Sequence, residues 1–364
     1  MYFIIFHGYH ESGKMIEKSL LLCPARISLN RILTSVLVNL SGDVSSFDVC
    51  SSLGRRRLYV NTKMRRFSYA VRNRWDTYFL RLANEYILSE VSSRRPGIVM
   101  VYNSEFLLPE TCARISETAK LVFFLGDSPF YTPQNDYYLA CLSHADLVLV
   151  PDTFWIAQLN SMGIDKTLHF IPGIDETHYH RLAGEEAVGE EETDILYAGT
   201  SYKNSWGYRK AALMSRFSGF KTRIYGNDAW ERWFPFFPEL EPMFRRSEYI
   251  PSEKLNRMFN RTKIIPVDGN PSIINGAHLR LLEALAAGAL PLIEYRKDVA
   301  DEIFAGSGIN LPLVRSYNEA ADVASHWLTN ETARLETVDA MRSFLLEKYS
   351  AERNAGRIMK KLEM

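Results

Sequence analysis

Two charged residues in an otherwise apolar segment, Arg280 and Glu283, have the spacing to share one face of a helix. The segment from Arg280 to Ala287 is otherwise leucine and alanine, and Gly288 follows it. Side chains three residues apart are neighbours on a helix, and an unpaired carboxylate in apolar surroundings is costly. The sequence leaves two interpretations of Glu283: a surface ion pair with Arg280, or a carboxylate that binds a polar ligand.

A second set of residues has the chemistry to hold phosphate. The apolar run 195–198 is followed by Gly199, Thr200, Lys203 and Arg209, before a predicted helix. Phosphates bind beyond the carboxyl ends of parallel strands, where helix N-termini and cations favour negative charge. The alternative is an ordinary strand–loop–helix connection that carries surface cations.

Asp127 follows a third apolar run, 121–125, in the pattern Gly-Asp-x-Pro that ends at Pro129. An aspartate at this place can cap the following turn. It can also face a cleft at the carboxyl edge of the sheet and act on a substrate. Tyr102 and Asn103 end the preceding predicted strand and are expected to line the same cleft.

The runs that carry these residues predict an α/β fold. Short apolar segments alternate with longer amphipathic stretches, for example 107–118 and 155–162, and this spacing predicts parallel sheets with both faces covered by helices. Gly288 is expected to end its helix in a left-handed cap. The predicted strands are residues 2–6, 98–102, 121–125, 147–150, 168–171, 195–198, 222–225, 264–267 and 290–293.

The length of 364 residues favours two domains rather than one core. Between Arg181 and Thr193 the apolar pattern stops, and five glutamates form an acidic stretch that reads as a linker. We therefore expect a first domain over 1–184, a linker over 185–193, a second domain over 194–340 and a terminal helix over 341–364. The final helical pattern extends over roughly 337–362.

The composition restricts the classes of function. Basic and acidic residues balance at 43 each, which gives no indication of bulk nucleic-acid binding. Four scattered cysteines, the absence of any long apolar run and an N-terminus without a basic lead predict a cytoplasmic protein, without a zinc site or a signal peptide. No Asp-x-Asp triplet occurs in the sequence.

The segment Asn275–Glu283 with its following helix, glycine and strand resembles the donor site of glycosyltransferases with the GT-B fold. The usual motif there is Glu-x7-Glu. This sequence has Asn275 at the first position and Arg280 three residues before Glu283, which is similar to the CgeB-like (spore maturation protein-like) branch of the group 1 transferases. The resemblance implies two facing Rossmann-like domains and a C-terminal helix that crosses back to the first domain.

The resemblance also implies roles for individual residues. Glu283 would bind the ribose of a nucleotide-sugar and Arg209 its diphosphate, while Asp127 would serve as a base or orient the acceptor. A base is needed if the anomeric centre is inverted; in a retaining enzyme the departing phosphate can take the proton. The other donor-site candidates are Arg280, Asn275, Gly199, Thr200, Lys203, Tyr225 and Tyr249, and the acceptor-cleft candidates are Gly8, His10, Tyr102, Asn103 and Pro129.

Residues 55–74 form the one strongly basic stretch, with aromatic residues between the cations. Three interpretations are open: a solvated helix face, a peripheral surface for membrane lipid or an anionic acceptor at the inner face of the membrane, and nucleic-acid binding. The balanced charge of the whole chain disfavours nucleic acid.

Gly8 to Lys14 satisfy the Gly-x4-Gly-Lys part of a P-loop, but Met15 stands where the motif needs Ser or Thr for magnesium. The sequence therefore favours a metal-independent glycosyltransferase, a hexosyltransferase by type, with a nucleotide-sugar as substrate and no cofactor. Its expected acceptor is a glycan, a lipid-linked molecule or another acceptor. The alternatives are a non-catalytic sugar- or nucleotide-binding protein on the same scaffold and, third, a P-loop nucleotidase.

Overall fold

Two six-stranded sheets, each with all its strands parallel, organise the computed structural model, which describes residues 16–64, 66–103, 106–130, 136–183, 189–269 and 272–364. The first sheet has the order β2-β1-β3-β4-β5-β6 and the second the order β12-β11-β10-β7-β8-β9. We call the parts built on them the first and second domains. The first-sheet strands are β1 (Ile16–Leu22), β2 (Ser41–Phe47), β3 (Ile98–Tyr102), β4 (Lys120–Phe124), β5 (Leu147–Val150) and β6 (Thr167–His169). The second-sheet strands are β7 (Thr193–Ala198), β8 (Thr222–Gly226), β9 (Phe244–Arg246), β10 (Thr262–Val267), β11 (Leu290–Glu294) and β12 (Leu313–Val314).

Helices connect successive strands and cover the sheets, as parallel pairing requires. In the first domain they are α1 (Ser28–Val38), α2 (Val49–Met64), α3 (Tyr69–Arg94), α4 (Pro109–Ser116), α5 (Tyr138–Leu142) and α6 (Thr153–Ser161). In and after the second domain they are α7 (Ser205–Met214), α8 (Leu240–Met243), α9 (Ser252–Asn260), α10 (Arg280–Ala287), α11 (Ala320–Thr329), α12 (Glu331–Lys348) and α13 (Ala351–Leu362). Within the described ranges, no helix is long and apolar enough to cross a membrane.

The α/β fold class predicted from the sequence is confirmed. Two predicted strands, 98–102 and 147–150, coincide with β3 and β5, and the other predicted strands in the described residues are found within two residues of their expected ends. Gly288 ends α10 at a φ of +88°, the left-handed cap that was expected. The predicted strand 2–6 lies outside the described residues.

Four strands were missed: β1, β2, β9 and β12. The polar strand β2 (SGDVSSF) lies at one edge of its sheet and pairs only with β1. The short strands β9 and β12 are the two edges of the second sheet. An edge strand needs less apolar surface than a central one, so apolar runs do not reveal it.

The C-terminal helix crosses back to the first domain, as the resemblance implied. Val338 and Met341 of α12 belong to the core of the second domain, whereas Ile358 and Leu362 of α13 pack in the core that includes α1. The expectation of one continuous helix over 337–362 was wrong. The helix is broken at Tyr349, and α13 restarts where the Ser350 hydroxyl accepts the amide of Arg353 at 3.2 Å. The two helices pack on different domains, and the break allows this change of direction. The boundary placed at 185–193 stays a prediction.

Candidate active site

Residues from both domains line a cavity of about 170 Å³ between the two sheets. The first domain contributes Tyr102, Gly126 and Asp127, which lie at or just beyond the carboxyl ends of β3 and β4. The second domain contributes His278 and Leu282, from the segment before α10 and from α10 itself. This is the edge at which open parallel sheets bind their ligands.

Asp127 is held by Asn103. The Asn103 side chain donates to the Asp127 carboxylate at 3.0 Å, and its oxygen accepts the amide of Gly126 at 2.8 Å. Asn103 has a φ of +36°, a left-handed backbone that asparagine tolerates. Burial raises the pKa of Asp127 above its ordinary value. A carboxylate with raised proton affinity at the cavity wall is suited to accept a proton.

The other predicted acceptor residues have different placements. Tyr102 lines the cavity with Asp127, and its ring lies so close to Gly126 that a Cβ there would be 2.6 Å from it. Pro129 is buried and is not among the residues that line the cavity. Gly8 and His10 lie outside the described residues.

A second cavity, of about 270 Å³, opens at the carboxyl end of β7. It contains two cations, Lys210 and Arg280, and the backbone of Gly199 and Thr200 forms part of its wall. His278 lines this cavity and the interdomain cavity, so the two spaces adjoin. The remaining residues that line the second cavity are Tyr197, Ala198, Tyr202 and Asp268.

Lys210 is fixed by two oxygens. Its Nζ donates to the Tyr197 hydroxyl at 2.8 Å and lies 3.2 Å from the Asp268 carboxylate, and the Tyr197 hydroxyl donates to the same carboxylate at 2.9 Å. Burial alone would lower the pKa of Lys210, but Tyr197 and Asp268 raise it by more. The lysine is therefore a positioned positive charge at the cavity wall.

His278 is neutral at physiological pH. Burial, with the nearby Arg280 guanidinium, lowers the pKa of His278 from 6.5 to about 4. Its Nδ1 accepts the backbone amide of Arg280 at 3.1 Å, so the proton of the neutral ring is on Nε2. The ring therefore offers a ligand a hydrogen-bond donor.

Arg280 and Glu283 form the ion pair that the sequence left open. Arg280 Nη1 lies 2.7 Å from Glu283 Oε2, and only 18% and 19% of the two side chains are exposed. Arg280 Nη2 also donates to the carbonyl of Ala198 at 3.0 Å, and the guanidinium stacks over Phe259. The ion pair is therefore partly buried, and its arginine is hydrogen-bonded to the last residue of β7.

Glu283 also lines a small pocket with Tyr179 and Asp175. The volume of that pocket is about 20 Å³, little more than one water molecule needs. A ribose requires more room, so its binding at Glu283 needs the cleft to be wider than it is in this conformation. The role of Glu283 stays a prediction.

Arg209, predicted to contact the diphosphate, does not line the 270 Å³ cavity, and its role stays a prediction. Its Nε donates to the Tyr317 hydroxyl at 2.8 Å, and its guanidinium pairs with the carboxylate of Glu294. Glu294 also accepts from Tyr317, Gly269 and Arg296. Lys210, the next residue, lines the 270 Å³ cavity. Consecutive residues of a helix point in directions about 100° apart. The sequence does not indicate whether Arg209 or Lys210 points toward the cavity.

Asn275 lies in a contact between the domains. The Asp152 carboxylate accepts the amides of Ile274, Asn275 and Gly276 at 2.8, 2.9 and 3.0 Å. The Asn275 side chain donates to the Thr153 hydroxyl at 3.0 Å. Asp152 was not singled out from the sequence, because its partners in the second domain are more than 120 positions away.

The remaining donor candidates are dispersed. Lys203 is exposed, Tyr225 is half-buried at the end of β8, and Tyr249 is exposed. Gly199 and Thr200, the candidates directly after β7, line the 270 Å³ cavity. Among the residues that the structure describes, no group of three or more His, Cys, Asp or Glu side chains could hold a metal ion.

The two parallel-sheet domains and the C-terminal helix that crosses between them give the chain a GT-B-like fold. Residues 209–360 match the family described as glycosyl transferase-like, which confirms the sequence-based resemblance over the C-terminal part of the chain. No curated protein matches the chain.

Three solved structures illustrate the similarity of fold. Sucrose-phosphate synthase from Thermosynechococcus elongatus has a TM-score of 0.65 at 11% identity, over 95% of this chain and 99% of the other. HepE from Anabaena, solved with UDP and glucose, has a TM-score of 0.61 at 10% identity, over 95% and 99%. The Escherichia coli structure described as trehalose-6-phosphate bound with UDP-2-fluoro glucose has a TM-score of 0.61 at 12% identity, over 96% and 99%.

Proposed function

We propose that this protein transfers a sugar from a nucleoside-diphosphate sugar to an acceptor that enters the interdomain cavity. The observation that carries the proposal is the pair of cations, Lys210 and Arg280, in the 270 Å³ cavity at the carboxyl end of β7. Lys210 lies within the part of the chain that matches the glycosyl transferase-like family, as does Arg280. HepE was solved with UDP and glucose and the E. coli structure with UDP-2-fluoro glucose, which supports UDP as the first nucleotide to test and UDP-sugars as the first donors.

Two cations, Lys210 and Arg280, and one carboxylate, Asp268, line the cavity, so the charge of its wall is positive, as a departing diphosphate needs. As the bond between the anomeric carbon and the phosphate oxygen breaks, negative charge grows on the diphosphate, and fixed donors aimed at it lower the barrier by about 2.7–4 kcal/mol each. Lys210 and Arg280 supply this positive charge from side chains, without a metal ion. The Nε2–H of His278 adds a neutral donor between the leaving group and the interdomain cavity.

Asp127 is the group on the acceptor side. An acceptor hydroxyl that forms the new bond to the anomeric carbon must lose its proton. Asp127 takes that proton if the anomeric centre is inverted, and its raised pKa, caused by burial, suits this role. In a retaining reaction the departing phosphate takes the proton, and Asp127 with Asn103 orients the acceptor.

Donor binding requires the domains to separate in part. Ligand pockets usually have volumes of about 300–1,000 Å³, and the cation cavity has about 270 Å³. It is large enough for the diphosphate and part of the sugar, whereas the pocket at Glu283 is too small for a nucleoside. We therefore expect the interdomain contact made by Asp152 to loosen when the donor enters.

A thermal-shift screen of UDP, GDP, dTDP and ADP tests the proposal, because a ligand that binds only the native state raises its stability. The sugar conjugates of the nucleotide that stabilises the protein are then incubated with it, and free nucleotide is measured. Stabilisation together with slow release of nucleotide supports a transferase. Stabilisation without any release supports a non-catalytic nucleotide-binding protein, and no stabilisation by any nucleotide contradicts both the transferase and the nucleotide-binding protein.

A further inference from the structure

The helical hairpin α2–α3 extends beyond the sheet on which it packs. Helix α3 has 26 residues and is therefore about 39 Å long, whereas the five residues of β3 that follow it span about 16 Å. All the buried residues of α3 lie between Phe79 and Val91. Asn84 bonds to the backbone of Phe106 and Leu108, just beyond the carboxyl end of β3. Residues 69–78 therefore project past that edge.

The projecting part is held together as a unit. The Trp75 indole donates to the Asn61 side chain at 3.0 Å and ties α3 to α2. Leu53 packs with Phe79 in a small core at the base of the hairpin. We call residues 55–64 and 66–78 the hairpin tip. It projects from the carboxyl edge of the first sheet, and Asp127 follows β4 at the same edge.

The surface of the hairpin tip is basic and apolar at once. Between Arg55 and Trp75 the sequence has eight basic residues and no acidic one. One of these cations, Arg72, forms an ion pair with Asp76, which follows Trp75 in α3. Phe67 and Tyr69 are 57% and 80% exposed. The other exposed apolar side chains of the tip are Tyr59, Val60, Val71 and Tyr78.

We propose that the hairpin tip docks on the surface of an anionic lipid bilayer. Each Lys or Arg near such a surface gains about 1 kcal/mol from the lipid charge, and aromatic side chains settle at the headgroup level. The aliphatic Val60 and Val71 favour lipid over nucleic acid, because they gain contact with acyl chains but cannot stack on bases as aromatic rings do. The formal net charge of the whole chain is 0, so acidic residues elsewhere in the chain balance the charge of this basic stretch.

Docking in this way directs the carboxyl edge of the first sheet, with Asp127, toward the membrane. If the protein is a sugar transferase, its acceptor class is then an amphiphile whose hydroxyl group lies at the bilayer surface. This consequence for the acceptor rests on the proposed function. The membrane contact itself does not, and it is measured without donor or catalysis.

Sedimentation with vesicles tests the proposal. We expect the protein to sediment with vesicles of phosphatidylcholine and phosphatidylglycerol at low salt, but not with phosphatidylcholine alone. Arg66→Gln combined with Arg74→Gln should weaken this partitioning roughly 30-fold. Phe67→Ser combined with Tyr69→Ser should weaken it also at high salt, where charge is screened.

Matched surface changes serve as controls. Lys254→Gln with Lys361→Gln removes two exposed charges elsewhere, and Phe236→Ser removes an exposed aromatic ring; neither should alter partitioning. Circular dichroism and the thermal midpoint verify that every variant folds. The proposal is overturned if the protein does not sediment with anionic vesicles at low salt, or if the tip variants partition like the wild type. Tighter binding to an oligonucleotide than to the vesicles, lost in the same arginine variant, would assign the tip to nucleic acid instead. The nucleotide screen remains independent of all these outcomes.

Discussion

The carboxylate of Asp152 in the first domain accepts the backbone amide of Asn275 in the second domain at 2.9 Å. Its other oxygen accepts the amides of Phe154 and Trp155 at the start of α6. One fully buried carboxylate thus fixes a helix of the first domain and the segment that leads to His278 in the second. The distance between the acceptor side and the cation cavity depends on this contact.

We expect Asp152→Asn to destabilise the protein by at least about 2 kcal/mol. The neutral amide accepts hydrogen bonds more weakly than a carboxylate, and its NH₂ group would face backbone amides that cannot accept. Urea unfolding measures the loss. Asp165→Asn at an exposed position is the control and should leave the midpoint unchanged. A variant as stable as the wild type would show that the contact between the domains contributes little.

Lys210→Met should weaken binding of the donor nucleotide about 10- to 150-fold, since a hydrogen bond to a charged group contributes roughly 1.5–3 kcal/mol. Arg209→Met should leave that affinity close to wild type, because Arg209 is engaged by Glu294 and Tyr317. Isothermal titration with the nucleotide selected by the screen measures both variants. Lys254→Met provides an exposed control on α9. The reverse order of effects would support the sequence-based prediction for Arg209.

Glu283→Gln tests the predicted ribose contact while keeping the size of the side chain. We expect donor affinity to fall about 10- to 150-fold, because a carboxylate is replaced as acceptor for the ribose hydroxyls. Glu253→Gln, an exposed acid in α9, is the matched control. Comparison of the intact nucleotide with its free base and phosphate separates ribose recognition from diphosphate binding. Unchanged affinity would leave Glu283 as the structural partner of Arg280 alone.

His278 should make stability depend on pH between about 6.5 and 4. Its pKa is lowered to about 4 in the folded protein by burial and by Arg280, so the unfolded chain binds more protons in this window. Stability from the neutral ring is then fully present above pH 6.5 and is lost as the pH falls toward 4, by about 3 kcal/mol. His278→Asn should remove this part of the pH dependence.

Urea unfolding of wild type and variant at several pH values between 7 and about 4 provides the measurement. The difference between the two proteins isolates the contribution of His278 from that of the other titratable groups. Parallel curves for the two proteins would show that the ring is not buried as a neutral group.

Part of the site was predictable from local sequence. Apolar runs located the central strands β3 and β5, and a single glycine located the end of α10 at Gly288. Because ligand-binding residues follow the carboxyl ends of such strands, the sequence alone indicates that Asp127 and the Gly199–Thr200 turn form part of cavity walls. Edge strands such as β2 carry too little apolar surface to be recognised in this way.

The sequence by itself determined the fold class, most of the central strands, though not β1, and several segments that line the cleft. These follow from local hydrophobic periodicity and from the residues that end helices and strands. Only the tertiary structure decided that Lys210 rather than Arg209 faces the cation cavity, that Arg280 already pairs with Glu283, and that Asp152 binds the backbone around Asn275. Those choices depend on the rotation of a helix about its axis and on partners distant in sequence. Tertiary packing determines both the rotation of the helix and the choice of distant partners, and no local sequence pattern indicates either.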